Sequence, residues 1–568
     1  MHIDIVPNRG SSPAILLRES YREGKKVRKR TLANLSSLPR DQIDALRRVL
    51  RGERLIAAGD FFEITQSWHH GAVQAILTAM KGLEFAQLIA SRPSRERQLV
   101  IGMVAARVLD AQSKLATIRS WGTTTLPDEL RIADATEDEL YDAMDWLLER
   151  QDRIEKQLAI RHLDEESLVL YDLSSTYFEG KTCPLAKLGY NRDGKAGKLQ
   201  VNFGVVTNGE GCPVGVSVHS GDTGDPKTIL PQLRRIREVF GVHRLVMVGD
   251  RGMISQKQID VFLADRAVDW ISALRSVSIA KLHKSGALQM GLFDQRNLFE
   301  LTHPDYPQER LIACRNEALA KLRAHKRNDL IEATRKELDR IKQRVERGRL
   351  KDRASIGLAA GRVINRYKVA KHFRLHIEKD RMRYEIRRSR VAAEAALDGV
   401  YIVRTSVPKA KMSAEDTVRN YKRLTGVERA FRGMKTIDLK VRPVHHRLAD
   451  RVRSHIFLCM LSYYVEWHLL NAWRPLLFAD EELDAKQKRD PVAPAQRSEK
   501  ADTKAASHEL PDGSPVHSLR TLLKDLASIV RNRCHRKGAA PAEATFEMTT
   551  QPNDKQRRAL ELAASVRL

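Results

Sequence analysis

Only five cysteines occur in 568 residues (Cys183, Cys212, Cys314, Cys459 and Cys534), and no two of them form a C-x-x-C pair. That scarcity gives neither a disulfide framework nor a zinc ligand set readable from spacing, and it points to a reducing compartment. The longest apolar stretch, around IFLCMLSYYV, falls well short of the roughly 20 residues that a membrane-spanning helix needs. The opening MHIDIVPNRG has no charged-then-apolar signal pattern, and no lipidation signal, basic amphipathic anchor or internal repeat stands out. The expectation is a soluble cytoplasmic protein with no membrane partner.

What the sequence has in excess is positive charge. It carries 99 Lys plus Arg against 72 Asp plus Glu, a formal charge of +27. A field of that sign attracts polyanions, so nucleic acid is the first partner to consider. A hydrophobic content of 42% argues for a large folded enzyme rather than a ribosomal-type protein or a membrane-surface binder. The length predicts about three or four domains.

Residues 1–165 read as an N-terminal DNA-binding module. Two short apolar runs flank the basic turn in SYREGKKVRKR, which predicts a hairpin presenting Lys25, Lys26, Arg28, Lys29 and Arg30 to phosphates, and helical patterns follow from about Asp41 to His162. From 166 to 275 the order is a strand, a two-stranded turn containing Asn208 and Gly209, a helix opened by Asp225 and Pro226, the strand RLVMVGD, a helix, and the strand VDWISAL. This is the order of an RNase H-like α/β core. Residues 276–397, with a long charged helix and the alternating FRLHIEKDRMRYEI, predict an α+β insertion. The core resumes over 398–475 with the strand GVYIVRTS, a helix from about Ala414 to Met434 and another from about Ala449 to Leu470. Residues 476–568 read as a linker rich in Lys, Asp, Pro and Ala over 479–514, then C-terminal helices that include SLRTLLKDLASIVRNR.

Three acids stand out against this frame. Asp172 lies within the strand VLYDLSSTY, Asp250 ends RLVMVGD, and acids at the carboxyl ends of strands in an open α/β sheet face the ligand crevice. Glu428 lies on a helix seven residues after Tyr421 and seven before Lys435, so the three share one face. Taken singly, each acid is explained as a turn, cap or solvated residue. Taken together, three carboxylates match two-metal phosphoryl transfer, where hard divalent ions need oxygen ligands and one acid can bridge both.

VLYDLSSTYFEG, VMVGDRGM and YKRLTGVERAFRGMK resemble the three acidic motifs of DDE transposases of the insertion-sequence-four superfamily. The third motif of that family is Y-x2-R-x3-E-x6-K. Tyr421, Glu428 and Lys435 fall on its first, third and fourth positions, while Leu424 stands at the arginine and Arg423 precedes it. The resemblance implies an RNase H-like catalytic domain interrupted before the glutamate, with Asp172, Asp250 and Glu428 holding two Mg²⁺ or Mn²⁺ ions. It further implies cleavage of double-stranded DNA at element ends, strand transfer into target DNA, a homodimer in the synaptic complex and a nucleoid-associated bacterial protein. The rivals are a nuclease that never joins and an inactive DNA-binding relic.

Other polar residues have simpler readings. Asp222 and Asp225 suit turn and N-cap roles. Arg251 suits a phosphate contact or a salt bridge, and the adjacent His445 and His446 suit backbone or phosphate contact better than zinc. Trp270 reads as core, with a stacking role for a flipped base as the alternative.

Overall fold

The computed structural model describes residues 1–53, 62–265, 267–289, 291, 293–294, 297–483, 489–536 and 545–568. The chain divides into two compact units, one made of residues 1–68 with 530–551 and the other of 69–529 with 552–568.

In the first unit, strands β1 (His2–Val6), β2 (Ala14–Glu23) and β3 (Lys26–Asn34) form an antiparallel sheet in the order β1-β2-β3, followed by the helix Arg40–Leu50. The β2–β3 hairpin turns at Gly24, whose φ of +62° lies where glycine carries no steric penalty. Strand β4 (Phe62–His69) joins a second sheet beside Val530–Arg536 and Thr545–Thr549. Two sequence expectations change here. FEITQSWH falls where helices were predicted throughout, and VRNR continues as a strand rather than as the end of a helix. In both segments pairing with a strand distant in the chain overrides the local pattern. Residues 54–61 of the predicted helical stretch and 484–488 of the predicted linker lie outside the described residues.

The second unit is a mixed α/β structure around one eight-stranded sheet. Its strands are β5 (Leu168–Tyr177), β6 (Gln200–Thr207), β7 (Pro213–Ser220), β8 (Leu245–Val248), β9 (Val268–Ala273), β10 (Leu298–His303), β11 (Tyr306–Arg315) and β14 (Val400–Thr405), in the order β10-β11-β14-β9-β8-β5-β6-β7. A separate two-stranded ribbon pairs β12 (Phe373–Ile377) with β13 (Met382–Ile386). β5, β6 and β7 are antiparallel neighbours, while β8 runs parallel to both β5 and β9. β6 is buried along its whole length, as the run QVNFGVVT requires of an interior strand.

Between β9 and β14 the chain adds the β10–β11 hairpin to the main sheet through β14, and then two long helices, Glu317–Glu346 and Arg353–Tyr367. These helices and the β12–β13 ribbon close over a small core of their own that includes Leu338, Ile356, Phe373 and Met382. The apolar run IFLCMLSYYV lies in the helix Ala449–Ala472 and is buried on every side, which is the other fate of an all-round apolar helix. Among the described residues, no helix is long and apolar enough to cross a membrane. Glu155, fully buried, accepts from Val216 N at 3.0 Å and pairs with Arg235 at 2.8 Å, joining the helix Gln151–His162 to β7 and to the helix Pro226–Glu238.

Candidate active site

Strand register brings the first two acids together. Leu168 pairs with Val246 and Leu170 with Val248, so Asp172 on β5 and Asp250 just past the end of β8 lie at the same end of two neighbouring parallel strands, close enough for the charge of Asp250 to act on Asp172. Asp250 follows the end of β8, where its carbonyl accepts from Met253 N at 2.9 Å and starts a turn that leaves the carboxylate exposed. Asp172 is half-buried and accepts from Leu173 N at 2.8 Å. Its carboxyl is pushed up to about 7, first by burial and then by the charge of Asp250 against the opposing backbone hydrogen bond.

The glutamate arrives from across the sheet. The predicted single helix is two, Ala414–Lys422 and Leu424–Arg432, meeting at Arg423 and followed by a π turn over Gly433–Ile437. Val427 and Ala430 are fully buried and Phe431 meets Phe203 of β6 edge to face at 5.3 Å, which packs Leu424–Arg432 on β5 and β6 and leaves Glu428 exposed. The Tyr421 phenol is raised above its ordinary range by burial, next by the charge of Asp250, and also by a side-chain contact with Asp250 and the charge of Glu428. Tyr421 thus contacts Asp250 and lies within reach of the charge of Glu428. The three carboxylates are not drawn within 4.8 Å of one another; among the described acids, histidines and cysteines that closeness is reached by His162, Cys212 and His468. Like charges keep apart without a cation between them, and an all-oxygen donor set of this kind suits a hard divalent ion.

Lys435 completes the stripe in a form the sequence did not show. The residue is buried, and its ammonium reaches Ser174 Oγ at 2.7 Å and Asp193 Oδ1 at 2.9 Å. Ser174 follows Asp172 by two residues on the same face of β5, so the lysine lies beside the first acid. Asp193 also pairs with Arg442 at 2.5 Å, and its neighbour Arg192 pairs with Asp225. Asp193 and Arg192 escaped sequence reasoning because their partners Lys435, Arg442 and Asp225 are far away in the chain. The Asp225 side chain makes no cap hydrogen bond although the residue does stand before Pro226 at the start of its helix.

The remaining candidates fall into separate places. Arg251 is exposed and its charge reaches Tyr421. Arg423 lies with a guanidinium nitrogen close over Gly209, in the turn after β6 and near Leu168 at the start of β5, and is not brought to the acids. Leu424 packs partly buried against the core. Trp270 is fully buried in β9, which fits core and leaves no exposed ring for stacking. His446 packs against Tyr141 and His455, while His445 is exposed. Asp222 accepts from Ser220 Oγ at 2.6 Å in an exposed turn. In the first unit, Arg28, Lys29 and Arg30 pair with Glu23, Asp4 and Glu19, whereas Lys25 and Lys26 have no ion pair with a described residue.

Residues 3–59 match the N-terminal domain of IS1634 family transposases. No curated protein matches the chain. Among solved structures, the chain has a TM-score of 0.33 at 9% identity with a piggyBac transposase synaptic complex with hairpin DNA, over 80% of this chain and 79% of that one. With the Mos1 transposase paired-end complex with left transposon end, the TM-score is 0.15 at 12% identity, over 34% and 62%. The transposase DDE domain matches residues 164–465, more than half of the chain and a span that contains Asp172, Asp250 and Glu428. The chain belongs to the DDE-domain transposases of insertion sequences.

Proposed function

We propose that this transposase cuts double-stranded DNA at the ends of its element and joins the freed ends to target DNA, with Asp172, Asp250 and Glu428 holding two Mg²⁺ or Mn²⁺ ions. The observation that carries the reading is that Asp172 and Asp250 lie at the same end of the neighbouring strands β5 and β8, with Tyr421 in contact with Asp250 and the helix that bears Glu428 packed on β5 and β6. When bound, such ions activate the attacking oxygen and stabilise the leaving one in an in-line displacement.

The chain's own groups do the rest. Asp172 gives up its proton to become a ligand, and Tyr421 braces Asp250. Lys435, held by Ser174 and Asp193, places positive charge beside the first acid where a scissile phosphate would lie. Water serves as nucleophile for the cut and the freed 3′-hydroxyl for joining, with no covalent protein–DNA bond. The order β7-β6-β5-β8-β9, antiparallel in its first three strands and parallel afterwards, supports an RNase H-like core, and the chain between β9 and β14 its insertion. Residues 1–165 act as the reader of the element ends, through phosphate contacts from the basic hairpin. Two copies hold the two ends, and the third motif supports a place beside the insertion-sequence-four superfamily.

The test is incubation of the full chain with labelled DNA bearing the ends that flank this gene, a target plasmid and Mg²⁺ or Mn²⁺. Joined products are expected. Cut ends that never join would make the protein a nuclease, and binding without cutting would make it a relic.

A further inference from the structure

We infer that His162, Cys212 and His468 form a second metal site, apart from the carboxylates, suited to zinc or a similar borderline-soft divalent ion. The three come from different elements: the last residue of the helix Gln151–His162, the turn between β6 and β7, and the helix Ala449–Ala472. One potential ligand atom from each lies within 4.8 Å of the other two, and Cys212 Sγ is 4.0 Å from His468 Nε2. A tetrahedral zinc ion with nitrogen and sulfur ligands holds its donors about 3.4–3.7 Å apart, so a closure of roughly 1 Å by side-chain rotation completes the set.

The surroundings fit an ion with three protein ligands. Cys212 is fully buried, and both histidines are half-buried beside it. The Tyr464 hydroxyl is 3.0 Å from His162 Nε2, and its ring meets His468 edge-on at 4.7 Å, so one side chain touches both imidazoles. On binding, each imidazole would supply a ring-nitrogen lone pair and the Cys212 thiol would give up its proton to solvent as the metal–sulfur bond forms. Arg161 donates to Leu83 O at 2.9 Å and pairs with Glu84 at 3.7 Å, and its positive charge also reaches Tyr464 and both histidines.

The site has a structural consequence that rests on the carboxylate reading. Cys212 N donates to Asn208 Oδ1 at 2.9 Å, which shapes the turn, and a Cβ on Gly211 would come within 3.3 Å of Gly426 Cα. Gly426 precedes Glu428 by two residues, so an ion on Cys212 would fix the turn against which the glutamate helix rests. The metal site itself stands without that reading.

The experiment uses the full chain without an affinity tag, purified from zinc-supplemented culture and dialysed against a weak chelator, followed by cobalt substitution. The expected result is about one retained zinc per chain and a sulfur-to-cobalt charge-transfer band in the near ultraviolet. Cys212→Ser should lose the band and the zinc, while His468→Asn should lose most of the zinc and change the band. A wild-type protein with no such band, or with zinc content equal to that of both variants, overturns the proposal. The band distinguishes this site from the carboxylates, which contain no sulfur, so failure of one reading leaves the other standing. Should Cys212→Ser fail to fold, the wild-type band and its response to His468→Asn still decide.

Discussion

Asp172 is the residue at which fold and chemistry pull against each other. Its carboxyl keeps a proton up to about pH 7 in the fold, against an ordinary value of 3.8, because burial and Asp250 both disfavour the charge. Between those values the folded state binds more protons than the unfolded one, so this group makes stability fall as pH rises from 4 towards 7. A divalent ion binds only the deprotonated form, so its stabilising effect should grow across the same window. Thermal melts at pH 5.5 and 8 should show a larger Mg²⁺-induced rise in Tm at pH 8, and Asp172→Asn should abolish the difference. Equal rises at both pH values would mean that Asp172 is not a ligand. The three acids could be singled out in sequence because Asp172 lies within an apolar strand, Asp250 follows one and Glu428 lies in a spaced helical motif. Asp193 could not, since its role depends on Lys435 and Arg442, more than 200 residues away.

At the scale of elements, Phe431 sets the position of the glutamate. Its ring packs on Phe203, and helix Leu424–Arg432 has little else but Val427 and Ala430 buried against the sheet. Phe431→Ala should cost about 3–5 kcal/mol of stability, seen as a lower urea midpoint, and should lower cleavage more than DNA binding. A variant of wild-type stability would show that other contacts seat the helix. Period and punctuation made many elements legible: the β2–β3 hairpin, β5 to β9, β14 and the helix Ala449–Ala472 fall where pattern placed them, whereas β10 and β11 join the main sheet from a segment read as a separate insertion. The break at Arg423 was hidden because the apolar stripe runs through it, with Val418 and Val427 both buried. The strand Val530–Arg536 was hidden because its partners, β4 and Thr545–Thr549, are set by tertiary pairing.

At the scale of the whole molecule, the charge of +27 is spread along the chain, and many bases are paired within it. The hairpin bases Lys25 and Lys26 are exposed and have no ion pair with a described residue, so they are available to phosphates. Replacing both with Gln should reduce the slope of log affinity against log salt by about 1.8, at about 0.9 per phosphate contact. An unchanged slope would remove the hairpin from the DNA interface. The mixed α/β class was legible from the change in hydrophobic period. The division of the chain into two units was not, because the first unit takes residues 530–551 from the far end of the sequence.

The central claim, that Asp250 is a metal ligand for DNA cleavage, is tested most directly by Asp250→Cys assayed in Mg²⁺ and in Mn²⁺. Thiolate binds Mg²⁺ poorly and accepts the softer Mn²⁺ better. The expected result is loss of cutting in Mg²⁺ with DNA binding intact, and partial recovery in Mn²⁺. A variant that cuts like wild type in Mg²⁺, or one whose loss is the same with either ion, would contradict the assignment.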